Sequence, residues 1–248
     1  PPSAHPQPGD LALETNVPAN EYLMLQGGQF SKSRKHGVWL PSFLERYDPD
    51  TLRYYLTINM PEGHDSDFRW DEYVDRVNNE LIGTYANFVH RVLTLAHRLP
   101  QRVNPGEDRS VVAANRNPLQ EYYDHSLHLE NISQVNDLLE SATISLEKQR
   151  FKEALRSIMS IAQLGNSILQ NAAPWSHIKE PTSAEAKSSL SSLAYCWFLC
   201  RGLAVTLRPF IPFQSDRLWK MLGCRDHIDT VDWLESFTPG VFYWNHTK

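Results

Sequence analysis

The strongest periodicity in the 248-residue chain begins near residue 70, where apolar residues recur every three or four positions. This spacing places the apolar side chains on one face and predicts a long amphipathic helix. Ser66 or Asp67 is positioned to cap its start, and Pro100 follows its end. The apolar positions of this helix are Trp70, Val74, Val77, Leu81, Phe88, Val92, Leu95 and Leu99.

The same spacing returns three more times, over residues 119–142, 151–169 and 185–207. A shorter helix is predicted over 214–222, with Gly223 as its C-terminal cap. Each predicted helix carries one apolar stripe, and successive helices of this kind pack against one another. The pattern therefore predicts an antiparallel helical bundle.

The chain before residue 67 is organised differently. Residues 9–30 read as short strands and turns, and 41–60 as a helix around Leu44 followed by a more apolar stretch. We expect a mainly α protein in which a small mixed α/β segment, residues 1–66, precedes the bundle and its tail, residues 67–248. Within the bundle, residues 101–117 are predicted to form a loop.

Composition narrows the possible functions. The chain is 41% apolar with a formal net charge of −5, so any RNA contact must be a local patch rather than a basic coat. Cys196 and Cys200 are predicted to share a buried helix face, and with Cys224 they form neither a zinc-ligand pattern nor a disulfide framework. We therefore expect no metal on this chain and a reducing, cytoplasmic location. No apolar run approaches the roughly 20 residues that span a bilayer, so no membrane association is expected.

The segment Gly28–Arg34, which we call the phosphate loop, combines a glycine, two hydroxyls and two cations. Glycine gives the backbone freedom, lysine supplies a point charge, and arginine supplies a fork that binds phosphate oxygens. The composition thus suits a loop that closes over phosphate. On these seven residues alone, a solvated surface loop is the competing interpretation.

The flanks of the phosphate loop make this region similar to the methionyl-tRNA synthetase family of class I synthetases. The resemblance runs from about Asn16 to about Met221 and is carried here by Val17–Leu23, His36–Leu40 and Phe43–Asp50. It implies that the loop closes on ATP, which is bound with Mg²⁺ in the complete enzyme. It also implies catalytic roles for Ser31, Lys32 and Ser33, and ATP contacts from Gln29, Phe30, Lys32 and Arg34.

The chain departs from the family pattern at two points. Gln29 stands where the first lysine of the family's loop is expected, which leaves Lys32 as the main charge and Arg34 as a helper. The family's His-Ile-Gly-His-type signature and zinc-binding insertion are absent from the sequence. We therefore expect the C-terminal part of such an enzyme, which is inactive alone and has the N-terminal catalytic domain as a partner.

A second constellation lies in the bundle. Asn87 and Arg91 are four residues apart at the edge of an apolar stripe, where they can present donors and an acceptor to a base. Trp175 follows Pro174, which is expected to hold Ala173 extended, and its ring offers a stacking face to an unpaired base. The competing interpretations are a solvated pair in which Asp75 or Glu80 binds the arginine, and a tryptophan buried in the core.

The family resemblance favours the RNA interpretation. It implies that Asn87, Arg91, Pro174 and Trp175 read the CAU anticodon, with tRNA(Met), through its anticodon and acceptor stem, as the partner. Two alternatives stay open. One is a non-catalytic tRNA-binding or assembly module descended from such an enzyme, and the other is the equivalent part of a class I ligase for leucine, valine or cysteine.

Overall fold

A computed structural model describes residues 17–99, 119–179, 182–224 and 227–237. The first element is a hairpin of strands β1, Leu23–Leu25, and β2, Gly28–Gln29. Strand β3, Ser66–Phe68, pairs in parallel with the other edge of β1, which gives the order β2-β1-β3. The predicted short strands are therefore present in the described part of 9–30, and residues 9–16 lie outside it. The strands join a later strand that the pattern did not indicate.

The hairpin turn consists of Gln26 and Gly27, which have φ angles of 50° and 77°. Two successive residues in the left-handed region are the mark of a type I′ turn, whose twist matches that of the strands it joins. The N–H of Gly27 donates to the Asp67 carboxylate at 2.9 Å, so the turn is also fixed to β3.

Two helices pack on this sheet, α1 at Leu40–Leu44 and α2 at Pro49–Ile58. Asp48 caps α2 by accepting the Asp50 N–H at 2.8 Å, and proline at the first helical position has the backbone angle that a helix needs. Together with the start of the long helix that follows, these elements enclose a small separate core. Its buried residues are Leu25, Phe43, Leu52, Tyr55, Phe68, Tyr73 and Val77.

The long helix predicted from residue 70 is present, with three parts. These are α3, Trp70–Arg76, a π-helical segment, Val77–Ala86, and α4, Asn87–His97. The predicted cap by Ser66 or Asp67 is wrong because both belong to β3, and Arg69 precedes α3 without a side-chain cap.

The remaining elements complete the bundle. The second bundle helix begins ten residues later than the pattern indicated, because Leu119 and Tyr122 are buried in turns rather than in a helix. The other predicted helices agree with the structure to within a few residues. In order, the elements are a 3₁₀ turn at His125–His128, α5 at Leu129–Glu147, α6 at Phe151–Ala172, a 3₁₀ turn at Pro174–Ser176, α7 at Ala184–Thr206, α8 at Pro212–Met221 and a 3₁₀ turn at Ile228–Thr230.

Helix α7 runs through the centre of the bundle. Cys196 and Cys200 lie on it fully buried, as predicted, and burial raises the pKa of both thiols well above the ordinary value. They are therefore structural side chains rather than reactive thiolates. Gly223, with a φ of 72°, follows α8 in the left-handed conformation expected of its cap.

The α/β segment and the bundle are joined through α2. The buried Asp50 carboxylate accepts the Gln214 N–H at the start of α8 at 2.7 Å, and Arg53 donates to the carbonyls of Phe210 and Pro209 at 3.0 and 2.6 Å. A division between residues 66 and 67 stays a prediction. The predicted loop over 101–117 lies outside the described residues, and none of the described helices has the length and apolarity to cross a membrane.

Candidate functional site

The phosphate loop is closed by its backbone. Ser31 and His36 exchange two hydrogen bonds, with N···O distances of 2.8 and 2.9 Å, and the Lys35 N–H donates to the Lys32 carbonyl at 3.1 Å between them. Lys35 has a φ of 54°, which is unusual for a residue with a side chain. Residues 32–35 thus form a tight turn that includes one residue in the left-handed region.

The hydroxyl groups of this loop are drawn together while its cations face solvent. Ser31 and Ser33 share a hydrogen bond at 3.2 Å, and Ser31 Oγ accepts the Arg34 N–H at 3.3 Å. Lys32 and Arg34 are exposed, and no carboxylate pairs with either cation among the described residues. The structure therefore brings Ser31, Ser33 and Arg34 together and places Lys32 at the tip.

His36 anchors the base of the loop, a role that sequence reasoning did not assign to it. Its Nε2 donates to the Leu25 carbonyl at 2.8 Å, and its ring lies against Gly28, where a Cβ would come within 3.1 Å of Nε2. A glycine at position 28 is thus needed for the close approach. Gln29 lies on β2, and Phe30, which is 43% exposed, follows it, so both flank the tip rather than join it.

The second site is centred on Arg91 on α4. Its guanidinium donates to Asn166 Oδ1 at 3.4 Å and to Gln170 Oε1 at 3.0 Å, and its Cζ lies 5.5 Å from the centroid of the Trp175 ring. That distance is within the range of a cation–π interaction. Asn87 lies one turn earlier on the same helix and is exposed.

Among the described residues, neither Asp75 nor Glu80 pairs with Arg91, so the competing interpretation of a salt bridge on this helix is wrong. Glu80 instead accepts from Arg76 at 2.8 Å and from the Tyr54 hydroxyl at 2.7 Å. Both described partners of Arg91 are neutral amides, which hold a cation without cancelling its charge. The guanidinium therefore keeps an electrostatic attraction for an anionic or electron-rich ligand.

Trp175 is 42% exposed, so it is not a core tryptophan, whereas Pro174 beside it is buried. The expectation that Ala173 is extended is wrong, since its φ and ψ are 43° and 49°. A left-handed residue ends α6 and reverses the chain, and this requirement outweighs the preference that the following proline imposes. The reversal turns the Trp175 ring back toward Arg91.

Two models of protein families match the chain. One, for class I tRNA synthetases of the methionine type, matches residues 2–93, and the other, for the anticodon-binding domain of methionyl-tRNA ligase, matches residues 124–241. The chain belongs to the methionyl-tRNA synthetase family. The first match includes the phosphate loop and Arg91, and the second includes Trp175.

Similar proteins agree with this family. The chain is 38% identical over 226 residues to a methionine–tRNA ligase of Dehalococcoides mccartyi, covering 91% of this chain and 38% of that protein. It is 34% identical over 211 residues to a methionine–tRNA ligase of Pyrococcus horikoshii, covering 85% of this chain and 27% of the relative. The chain thus spans about a third of the length of these synthetases.

A solved structure shows the same fold. The methionyl-tRNA synthetase of Mycobacterium tuberculosis in complex with methionyl-adenylate matches with a TM-score of 0.66 at 23% identity. The match covers 83% of this chain and 38% of that one. It supports the bundle with a preceding α/β segment as the architecture of this part of the synthetase family.

Asn166 and Gln170 are site residues that sequence reasoning missed. They are four residues apart on α6, which places both on one helix face. A polar pair at this spacing, close before Pro174 and Trp175, was the available signal. Nothing in the sequence said that this face of α6 meets Arg91, which lies 75 residues before Asn166.

Proposed function

We propose that the bundle end of this chain reads the CAU anticodon of tRNA(Met) as part of a methionine–tRNA ligase. The observation that carries the proposal is the placement of the Arg91 guanidinium 5.5 Å from the centroid of the exposed Trp175 ring. Two amide oxygens hold it there, so its charge and its remaining N–H donors stay available to RNA.

An unpaired base can stack on the exposed face of Trp175, which is worth about 1–3 kcal/mol per base. Asn87 and Arg91 then offer an amide and a guanidinium to base edges, and contacts of this kind give sequence specificity. Pro174, which precedes the tryptophan, is buried, and its ring limits the freedom of the backbone there. In this proposal the exposed Asn87 and Trp175 and the partly buried Arg91 read the base, and Pro174 fixes the stacking platform.

The phosphate loop is proposed to serve ATP-dependent methionine activation in the complete enzyme. Lys32 at the tip would stabilise the charge that develops on pyrophosphate as it leaves the α-phosphate, which is an electrostatic contribution to catalysis. Arg34 would be the second cation, and Ser31 and Ser33 would add hydrogen bonds. In this proposal Mg²⁺ accompanies ATP. No group of three or more His, Cys, Asp or Glu side chains suited to a metal occurs in the described part of the chain.

The proposal divides the chain at residues 66 and 67. The α/β segment, 1–66, would contact the acceptor stem and pack against a nucleotide-binding domain that this chain does not supply, and the bundle, 67–248, would hold the anticodon. The junction of α2 with α8 would keep the two ends at a fixed separation, because Asp50 and Arg53 bond the backbone across it.

The anticodon proposal is tested by the affinity of the chain for a CAU stem-loop and for one with an altered anticodon. We expect Trp175→Ala to cost about 1–3 kcal/mol of binding to the CAU loop. Asn87→Ala and Arg91→Ala should reduce the preference for CAU over the altered loop. Circular dichroism on each variant reports whether the helices remain.

The chain offers matched controls. Arg217→Ala removes an exposed arginine from α8, and Trp39→Ala removes a 50% exposed tryptophan from the α/β segment. Neither control should change the preference for CAU. Equal binding of both loops by the folded parent would reject the proposal. Selective binding without methionine activation, once the chain is joined to a nucleotide-binding domain of the family, would instead favour the non-catalytic module.

A further inference from the structure

A ten-residue π-helical segment, Val77–Ala86, stands directly before Asn87. π-helical turns are rare, and inside α-helices they occur frequently at functional sites. The wide spacing is visible in two bonds that reach back five residues. The Asn87 N–H donates to the Ile82 carbonyl, and Thr84 Oγ1 donates to the Asn79 carbonyl at 3.1 Å.

The last turn of the π-helical segment contacts the neighbouring helix α6. The Thr84 carbonyl accepts a hydrogen bond from Asn166 Nδ2 on α6 at 3.0 Å. The backbone of the π-helical segment thus fixes a side chain of the neighbouring helix. That side chain is one of the two amides that hold Arg91.

Both the nitrogen and the oxygen of the Asn166 amide form hydrogen bonds. Its Nδ2 also donates to the Ala162 carbonyl at 3.2 Å, while its Oδ1 accepts from Arg91 at 3.4 Å. An amide has two N–H donors on one side and an acceptor on the other, so the two donated bonds determine which side faces the guanidinium. A chain of contacts therefore runs from Thr84 through Asn166 to Arg91.

Gly83 occupies the wide part of the segment. A Cβ at this position would lie 3.0 Å from the Asn78 carbonyl oxygen, which is the backbone five residues earlier. Glycine is also a poor α-helix former, costing about 1 kcal/mol relative to alanine. The residue at position 83 therefore suits the wide turn and disfavours ordinary α-helical spacing.

We infer that the π-helical segment is a positioning element for the Arg91 site, with Thr84 and Asn166 as its positioning residues. It presents the Thr84 carbonyl to Asn166, which orients Arg91 over Trp175. This inference rests on the proposed function, since its consequence is measured as RNA affinity. It adds that the affinity of the site for RNA depends on backbone spacing in a segment that makes no RNA contact in the proposed function.

The test is to delete Gly83, a change that removes no side chain and lets the helix adopt four-residue spacing. We expect the variant to keep its helical circular dichroism and to bind the CAU stem-loop about tenfold more weakly, which corresponds to about 1.4 kcal/mol. Asn166→Ala should cause a similar loss, while Ser167→Ala, an exposed neighbour on α6, should cause none.

Combining the deletion with Asn166→Ala tests whether both changes break the same chain of contacts. The double variant should bind no more weakly than the weaker single variant. Parent-like affinity of the folded deletion variant, or losses that multiply, would overturn the inference. If the deletion variant does not fold, parent-like affinity of Asn166→Ala overturns it.

The NMR signals of the Arg91 guanidinium in the RNA-free chain separate this inference from the proposed function. Asn166→Ala should broaden or shift them if Asn166 holds the side chain, and unchanged signals would contradict the inference. An RNA site that fails in the parent chain, with these signals still dependent on Asn166, would reject the anticodon proposal and leave the positioning role standing.

Discussion

The two candidate sites hold their cations in opposite ways. Lys32 lies at the tip of a turn that is closed by backbone bonds, and the described structure gives it no carboxylate partner. Arg91 is held by two amide oxygens from a second helix and by the face of Trp175. One cation extends into solvent from a turn, whereas the side chain of the other is held by residues of a neighbouring helix and by a tryptophan ring.

This difference fits two different tasks. A group that must meet charge as it develops is useful on a loop that closes during the reaction, and loops carried on a rigid scaffold often serve this purpose. A group that must distinguish one base from another gains from being oriented before binding, because less order is lost on association. Substitutions at Lys32 and around Arg91 are therefore expected to affect different activities.

The largest effect is expected at Lys32. In the chain joined to a nucleotide-binding domain of the family, Lys32→Ala should reduce the rate of methionine activation by about 10²–10³, because a charge aimed at a developing oxyanion acts in the transition state. Binding of the CAU stem-loop should not change. Methionine-dependent ATP–pyrophosphate exchange measures the rate.

Lys35 provides the matched control, since it lies in the same turn and carries the same charge. Lys35→Ala should affect exchange far less than Lys32→Ala if position rather than net charge matters. Equal losses from both variants would show that the loop acts only through its overall charge. An unchanged rate in Lys32→Ala would transfer the role to Arg34.

The next-largest effect is expected from the packing of α6 against α4, the two helices that contribute to the Arg91 site. Gly165 on α6 lies against the ring of the fully buried Phe88 on α4, and a Cβ there would overlap that ring. Gly165→Ala should therefore lower the free energy of unfolding by about 1–3 kcal/mol through overpacking. Because Asn87 and Asn166 adjoin these two residues, the preference for CAU should also weaken, while exchange through the phosphate loop should be spared in the joined enzyme.

Urea denaturation and stem-loop binding, measured on the same Gly165→Ala sample, check this expectation. The matched control is Ser167→Ala, which changes an exposed position two residues later on α6. Unchanged stability of Gly165→Ala would mean that α4 and α6 accommodate the added methyl group without lowering the free energy of unfolding. In that case the packing of α4 on α6 would not be what fixes the Arg91 site.

The helices could be predicted because their buried apolar residues recur every three or four positions, as the geometry of a helix requires. Helix α6 was predicted over 151–169 and spans Phe151–Ala172, since almost every apolar residue on it faces the core. The start of α5 could not be predicted, because Leu119 and Tyr122 are buried by turns yet continue the apolar spacing. The π-helical segment was missed for a similar reason, as apolar steps of three and four do not distinguish α from π turns.

The site residues also differ in whether the sequence could predict them. Asn87 and Arg91 are neighbours in sequence on one helix, so their shared face could be predicted from spacing. The partners of Arg91, Asn166 and Gln170, lie 75 and 79 residues away, and that contact depends on how α4 packs on α6. A single sequence contains no information on such a crossing beyond the apolar stripes themselves.

A smaller effect, on the pH dependence of the free energy of unfolding, is expected at His128 in the bundle. His128 is buried between the rings of Tyr195 and Tyr123, and its Nε2 lies 2.9 Å from Ser191 Oγ on α7. Burial lowers its pKa below the ordinary value of 6.5, so the unfolded chain takes up the proton more readily than the folded one. This contribution to stability is present above pH 6.5 and is lost as the pH falls through the lowered pKa.

The comparison of the parent with His128→Phe isolates this contribution. The free energy of unfolding of the parent should fall more steeply with acidification, by up to about 1.4 kcal/mol per pH unit for one proton. The phenylalanine variant keeps the ring stack but has no proton to gain. Parallel pH profiles for the two proteins would show that His128 stays accessible to protons in the folded chain.

The smallest effect concerns the reversal that aims Trp175. Ala173 adopts left-handed angles, which cost an L-residue about 1–2 kcal/mol. Glycine avoids that cost but loses about 0.5–1 kcal/mol of backbone entropy. Ala173→Gly should therefore raise the free energy of unfolding slightly, by about 0.5 kcal/mol. The affinity for the CAU loop should stay the same, because the conformation that turns Trp175 toward Arg91 is retained. Thermal unfolding and stem-loop binding on the same sample check both expectations.

Ala172→Gly is the control, since it places the same residue within α6 and should destabilise the chain. A destabilised Ala173→Gly variant would mean that the reversal is held by its surroundings without strain, and weaker RNA binding would mean that the rigidity of this residue contributes to the Arg91 site.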